Sequence, residues 1–285
     1  MADDTIVDIY CHIFPDKFFQ EMNRIAPQLG NIAARLRGVK KLFDLDERFP
    51  TFVAALSMTD VDGSVKEARR AVNELGAGGV QIFTSVAGRP LDEKAFEPIF
   101  ATMAELDLPI WLHPARTASM PDYPKEQKSR FEMWWCFGWP YDTSVAMVRM
   151  VFCGLLDRYP KLKIVTHHLG GMIPFYDGRI GPGLQVLGSR TSDEDYSKVL
   201  SSLKRPHLDY LHDFYGDTAL FGGGIHAVRC GLEFFGAEHV VFATDTPLGP
   251  IAPTIDVIKR LDIADGDRRK IFAGNAERLL KRKLS

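Results

Sequence analysis

Lys161-Leu-Lys-Ile-Val-Thr-His-His-Leu-Gly-Gly171 is the stretch of the chain that decides the fold. Its apolar and β-branched residues predict a short buried strand that ends at two histidines and a glycine pair. Three other stretches have the same form: Ile6–His12 and Leu108–His113 end in histidine, and Val240–Asp245 ends in aspartate. Because the carboxyl ends of parallel strands meet on one face of an α/β protein, we expect these polar side chains to share a site.

Strand and helix patterns alternate along the rest of the chain. Strands are predicted at 5–12, 52–57, 79–84, 109–114, 161–168, 214–218 and 240–245, and the main helices at 64–75, 92–106, 143–158, 225–235, 253–261 and 267–281. The 285 residues show no internal repeat or linker, so we expect a single domain over 1–285. The pattern predicts an α/β barrel of the TIM type; because only seven strands can be identified, a distorted barrel or an open sheet stays possible.

Residues 13–50 form a long excursion after the first predicted strand, with helical patterns at 16–26 and 31–37. Connections of this length in a compact domain usually carry a function of their own. We therefore expect 13–50 to be a cap-like insertion over the mouth of the barrel.

Composition excludes several classes of function. The chain is 46% hydrophobic and 25% charged, with a formal net charge of −2, so neither nucleic acid nor a membrane is an expected partner. The four cysteines are far apart and have no metal-ligand spacing, which favours free thiols in a reducing cytoplasm. We expect a cytoplasmic protein with a small-molecule partner that forms a homo-oligomer, most simply a dimer.

The side chains at the predicted strand ends form a metal-competent set. Imidazole and carboxylate groups at His12, His113, His168 and Asp245 are the nitrogen and oxygen donors that zinc and other first-row divalent ions accept. The alternative is that the histidines satisfy loop carbonyls while Asp245 caps the following helix. His167 and His168 should point to opposite sides of their strand, and periodicity by itself does not show which of them faces the axis.

Three motifs, Asp8-Ile-Tyr-Cys-His12, His168-Leu-Gly-Gly171 and Thr244-Asp-Thr-Pro247, resemble those of the decarboxylase branch of the amidohydrolase superfamily. That branch includes aminocarboxymuconate semialdehyde decarboxylase and the resorcylate-type aromatic acid decarboxylases. The resemblance implies a distorted (β/α)8 barrel with one divalent metal ion, Zn or Mn, bound by His12, His168 and Asp245. It places His113 in the active site but off the metal, and it leaves His167 to the helix layer or the strand edge.

The chain departs from the family pattern at two places. The family usually reads Asp-x-His-x-His on its first strand, where this chain has Tyr10 in place of the first histidine. A neutral phenol is a poor ligand, so we expect Tyr10 to serve the substrate or support the ligands, although weak ligation or simple packing stay open. Several members also place a catalytic histidine after the strand that holds Asp217; here the nearest candidate is His226, which is equally compatible with a structural role.

The resemblance implies non-oxidative decarboxylation. The sequence shows no lysine motif for pyridoxal and no thiamine motif, so the substrate would carry its own electron sink, such as an ene-carbonyl or an ortho-hydroxy aromatic ring. Asp245 is the first candidate for proton transfer, with His226 or His113 second. Trp139 is a candidate wall of a flat apolar pocket and Arg116 a candidate carboxylate partner, although ordinary packing would also explain them.

Two other functions fit the same residues. A hydrolase or hydratase would use the metal to activate water against an amide, lactone or C–C bond. A ligand-binding relative without catalysis would have lost activity together with the first histidine of the motif. The sequence ranks decarboxylation first.

Overall fold

The computed structural model describes residues 5–13, 16–25 and 49–284. Its strands are β1 (Val53–Ala55), β2 (Gly79–Phe83), β3 (Ser85–Val86), β4 (Arg89–Pro90), β5 (Ile110–His113), β6 (Ile164–Thr166), β7 (Tyr215–Asp217) and β8 (Val240–Val241). Within these ranges, six of the strands form one parallel sheet in the order β1-β2-β5-β6-β7-β8, while β3 and β4 form a short antiparallel pair. All-parallel pairing with helical crossovers is the pattern of an α/β barrel.

The predicted first strand extends this sheet beyond β8. Cys11 forms a parallel bridge with Thr246, and the Ile9 amide donates to the carbonyl of Phe242. At the other end of the sheet, Gln81 of β2 accepts a hydrogen bond from the Tyr10 hydroxyl at 2.8 Å. The two ends of the sheet therefore approach each other across the axis, as the predicted distorted (β/α)8 barrel requires. Each of the seven predicted strands is present as a parallel segment.

The helices mostly follow the strands on the outside of the sheet. They are Asp16–Ile25, Val61–Asn73, Glu97–Leu106, Met133–Cys136, Gly138–Phe152, Leu155–Arg158, His167–Gly170, Asp177–Ile180, His207–His212, Ile225–Phe235, Ile251–Lys259, Asp265–Arg269 and Asn275–Leu280, with 3₁₀ turns at Lys94–Phe96, Pro182–Val186 and Leu200–Ser202 and a π-helical turn at Lys270–Gly274. The helix predicted at 143–158 is divided in two because Gly154 adopts a left-handed conformation, with φ of 71°. No helix in the described ranges has the length and apolar character needed to cross a bilayer.

The predicted cap is described only in part. Asp16–Ile25 is helical, in agreement with the helix predicted at 16–26. The predicted helix 31–37 lies outside the described residues, as does all of 26–48. That 13–50 covers the barrel mouth stays a prediction.

Alternating residues on each strand separate the core into an outer and an inner layer. Ile110 and Leu112 of β5 pack in the outer cluster with the helices, whereas Trp111 packs in the inner cluster with Val165 and Ala243. Side chains two residues apart share a face of a strand, so each inner row continues to a polar residue at the strand end. The polar residues that continue these rows are His113, His167 and Asp245.

Candidate active site

Asp245 is the centre of a cluster at the carboxyl ends of the strands. Its side chain is 4% exposed, and its Oδ1 lies 2.7 Å from His12 Nε2 and 3.7 Å from His167 Nε2. The Asp245 amide donates to the Tyr10 carbonyl at 3.0 Å, which ties the end of the β8 segment to the end of the first strand. Two imidazole nitrogens thus converge on one carboxylate oxygen.

His167 is held between two aspartates. Its Nδ1 lies 2.6 Å from Asp217 Oδ2, and both side chains are fully buried. Asp217 Oδ1 accepts the amides of His168 and Ala219, at 2.9 and 3.1 Å. Because an ionised carboxylate only accepts hydrogen bonds, Nδ1 of His167 carries a proton and donates a hydrogen bond to Asp217. The other ring nitrogen, Nε2, is directed towards Asp245.

The two histidines of the doublet lie side by side, and this overturns the expectation that His167 faces the helix layer. β6 ends at Thr166, and His168 and Leu169 adopt left-handed conformations with φ of 55° and 50°. The alternation of a strand therefore stops before His168, and the two imidazole rings lie 3.8 Å apart, centroid to centroid. His168 is buried, and within the described part of the chain its Nδ1 has no hydrogen-bond partner.

Tyr10 is buried beside the histidines. Its ring stacks on that of His167 at 4.3 Å, and its hydroxyl donates to Gln81. Burial raises the pKa of Tyr10 well above 10, and the charges of Asp245 and Asp217 raise it further. Tyr10 is therefore a neutral phenol in this environment.

His113 lies on the far side of the same cluster. Its ring is 5.4 Å from that of His167, and its Nδ1 donates to the Pro114 carbonyl at 2.7 Å. Burial lowers the pKa of His113 to about 3, helped by the charge of His167. His113 is a neutral imidazole at ordinary pH, so it can accept a proton but does not carry a second one to donate.

His167 and Asp245 are both ionised. Burial lowers the pKa of His167, but Asp217 and Asp245 outweigh that effect and bring it to about 9. Burial likewise raises the pKa of Asp245, while the hydrogen bond from His12 at 2.7 Å and the charge of His167 hold it below its usual range. Asp245 is consequently an ionised carboxylate.

Aromatic side chains form one wall of the cluster. Trp139 stacks near His168 at 6.1 Å and meets His113 edge-on at 5.6 Å. Its Nε1 donates to the Arg116 carbonyl at 2.9 Å, and Trp134 packs against it. Arg116 passes close to Gly138, and its Nη2 donates to the Pro121 carbonyl at 3.0 Å, which leaves other guanidinium donors for a ligand.

The structure thus brings together His12, His113, His168, Asp245, Tyr10 and Trp139 of the predicted site residues. His226 is exposed in the first turn of Ile225–Phe235, and within the described residues it is not among the side chains that contact Asp245. His167, Asp217 and Gln81 were not selected from the sequence. Asp217 carried the same signal as Asp245, a carboxylate at a strand end.

Comparison with known proteins identifies the family. The family model described as Amidohydrolase matches residues 43–282, which is most of the chain. The match begins after Asp8–His12, so the position of His12 beside Asp245 is an independent observation. The chain is 28% identical over 228 residues to 2-amino-3-carboxymuconate-6-semialdehyde decarboxylase of Dictyostelium discoideum, an alignment that includes 79% of this chain and only 59% of that relative.

A second relative and a solved structure agree with this match. Gamma-resorcylate decarboxylase of Rhodococcus jostii is 30% identical over 250 residues, covering 82% of this chain and 71% of the relative. The fold is similar to 5-carboxyvanillate decarboxylase of Novosphingobium aromaticivorans, solved with manganese and 4-hydroxy-3-methoxy-5-nitrobenzoic acid, with a TM-score of 0.70, 24% identity and coverage of 93% and 71%. This chain therefore belongs to the amidohydrolase family, in the branch that contains the aminocarboxymuconate semialdehyde and gamma-resorcylate decarboxylases.

Proposed function

We propose that this protein is a metal-dependent non-oxidative decarboxylase that acts on a small aromatic or unsaturated hydroxycarboxylic acid. The observation that carries the proposal is the convergence of His12 and His167 on Asp245 at the carboxyl ends of the barrel strands. The relatives in the same branch support it, because their names are those of decarboxylases of such acids. The proposal includes Zn²⁺ or Mn²⁺ as the ion and a homodimer as the working form.

The residues present fit a first-row divalent ion by donor type. Two ligands each about 2.1 Å from an ion lie about 3.0–3.4 Å apart, and the distance from His12 Nε2 to Asp245 Oδ1 is 2.7 Å. Buried nitrogens of His167 and His168 have no hydrogen-bond partner within 5–13, 16–25 and 49–284. In those ranges no three side chains already stand in complete ligand geometry. His12, His168 and Asp245 are the proposed ligands.

The chemistry requires that the C–C bond to the carboxylate break, that CO₂ leave, and that the same carbon take a proton. A divalent ion at this site would chelate the substrate oxygens and withdraw charge from the carbon as CO₂ departs. Asp245 is an ionised carboxylate, so it can take a proton from an acidic group of the substrate and return it to the carbon. Trp139 would bound the flat face of the ring, and Arg116 would bind a carboxylate.

The reaction in D₂O tests this proposal. The purified protein, loaded with Zn²⁺ or Mn²⁺, is incubated with hydroxybenzoates and muconate semialdehydes while CO₂ release is followed. We expect CO₂ without net consumption of water, and one deuterium on the carbon that lost it. Oxygen from labelled water in the product would instead establish a hydrolase or hydratase, and would reject the decarboxylase.

Asp245→Asn is the matching variant. It keeps the shape and one weak oxygen ligand but cannot shuttle a proton, so turnover should fall about 10²–10⁴-fold, the usual contribution of general acid–base catalysis. Some metal should remain bound. Near-normal turnover in this variant would remove Asp245 from the mechanism.

A further inference from the structure

His167 occupies a position that the motif match does not assign to any role. It continues the inner row of β6 after Val165, and its side chain is fully buried. Its ring is held on one face by Tyr10 at 4.3 Å and at one edge by Asp217. A side chain fixed in this way has lost its rotamer freedom before any ligand binds.

The direction of its free nitrogen follows from Asp217. Because the carboxylate accepts from Nδ1, the neutral form of His167 has its lone pair on Nε2. Nε2 lies 3.7 Å from Asp245 Oδ1 and, within the described residues, has no hydrogen-bond partner. When the ring is neutral, the Nε2 lone pair faces the Asp245 carboxylate, and this arrangement suits a cation placed between the two.

Tyr10 provides no competing ligand on this side. Its hydroxyl donates to Gln81 Oε1 at 2.8 Å. Its ring instead supports the plane of His167, with an angle of 26° between the two rings.

We propose that His167 is itself a ligand of the metal ion, through Nε2, and that Asp217 is the positioning residue that presents this nitrogen. The inference rests on the proposed metal site and adds a donor to His12, His168 and Asp245. An aspartate that accepts from the remote nitrogen of a metal-bound histidine fixes the tautomer and raises the basicity of the ligand.

Asp217→Asn tests the positioning role at nearly constant shape. The backbone amides of His168 and Ala219 still need an acceptor, so the oxygen of the Asn side chain should keep both of these hydrogen bonds. The Asn amino group then faces His167 Nδ1, which must become an acceptor, and the ring proton moves to Nε2. A protonated Nε2 cannot bind a metal, so affinity for the ion should fall by about 10–100-fold or more.

The measurement is the affinity of the full chain for Co²⁺ or Mn²⁺, not its activity. Chelator-treated wild type, His167→Gln and Asp217→Asn are titrated with Co²⁺, followed by visible absorption bands, and circular dichroism shows whether each variant is folded. His207→Gln is the matched control, because His207 is also buried but donates to the carbonyl of Ile180. We expect His167→Gln and Asp217→Asn to bind weakly with altered bands, and His207→Gln to keep the wild-type affinity.

Two outcomes would overturn the assignment. Unchanged Co²⁺ affinity and spectrum in folded His167→Gln would show that Nε2 is not a ligand, and unchanged values in Asp217→Asn would remove the positioning role. The failure of the proposed function is a separate result, because in that case the wild type itself would bind no ion or would release no CO₂.

Discussion

The phenol of Tyr10 lies where a charged group would be most costly, buried among three imidazole rings. Its neutrality avoids the cost of burying a charge at this position. The hydroxyl donates to Gln81, so Tyr10 also joins two ends of the curled sheet.

Tyr10→Phe should leave metal content unchanged and lower stability. Removing the hydroxyl takes away the donor to half-buried Gln81, which should cost about 0.5–1.5 kcal/mol in the free energy of unfolding. Urea unfolding and metal analysis measure the two effects. If Tyr10 also serves the substrate, turnover should fall. Tyr159→Phe, which removes a hydroxyl that bonds Glu97 outside the site, is the control. Loss of the ion in Tyr10→Phe alone would show that the phenol is a ligand.

At the scale of elements, the turn that follows β6 determines the geometry of the site. Left-handed backbone at His168 and Leu169 brings both imidazoles into the cluster, and Leu169 fills space beside Gly216 and Gly231. Gly171 ends the turn with φ of 65°, close to the helix Gly138–Phe152. Ser144 Oγ of that helix accepts a hydrogen bond from the Met172 amide at 2.8 Å, and this bond links the turn to the helix.

Gly171→Ala should disrupt this element. A Cβ at Gly171 would lie 2.3 Å from the Pro140 carbonyl oxygen, and its left-handed backbone alone costs about 1–3 kcal/mol for a residue other than glycine. We expect a loss of at least that size in urea unfolding, together with weaker metal binding because His168 is displaced. Gly178→Ala, where a Cβ has nothing within 4 Å, is the matched control. Equal stability of the two variants would contradict this account of the turn.

At the scale of the whole molecule, buried titratable groups make stability depend on pH. The pKa of His113 is about 3 in the folded protein, against 6.5 for an exposed imidazole, and that of His168 is lowered as well. Their neutral forms contribute stability above pH 6.5, and that contribution is lost as the pH falls from 6.5 towards 3. Asp8 acts in the opposite direction: burial raises its pKa to about 6, so its contribution is fully present below 3.8 and is lost as the pH rises through 6.

We therefore expect the chelator-treated protein to be less stable at pH 4.5 than at pH 6.5, by about 1–3 kcal/mol after the opposing effect of Asp8. On the alkaline side, His167 has a pKa of about 9, so its contribution is complete below 6.5 and declines through 9. Urea unfolding across this range should show a maximum near pH 6.5. His113→Gln should reduce the acid slope. A flat profile from 4.5 to 6.5 would contradict the buried neutral histidines.

Local sequence was enough to predict the strands and three of the residues that meet at their ends. Short β-branched runs bounded by glycine or proline form strands wherever they are buried, so 79–84, 109–114 and 240–245 were predicted within a few residues of β2, β5 and β8. His12, His113 and Asp245 then converge because parallel strands carry their carboxyl ends to one face.

Only the tertiary structure decided which member of the histidine doublet continues the inner face. Period-two alternation gives two opposite faces but not which of them faces the axis; that is set when Trp111 and Val165 pack inside the barrel. The pairing of His167 with Asp217 joins residues 50 positions apart, and the Tyr10–Gln81 bond joins residues 71 apart. Contacts at such separations depend on the curvature of the sheet, which is a property of all its strands together and of no single stretch of sequence.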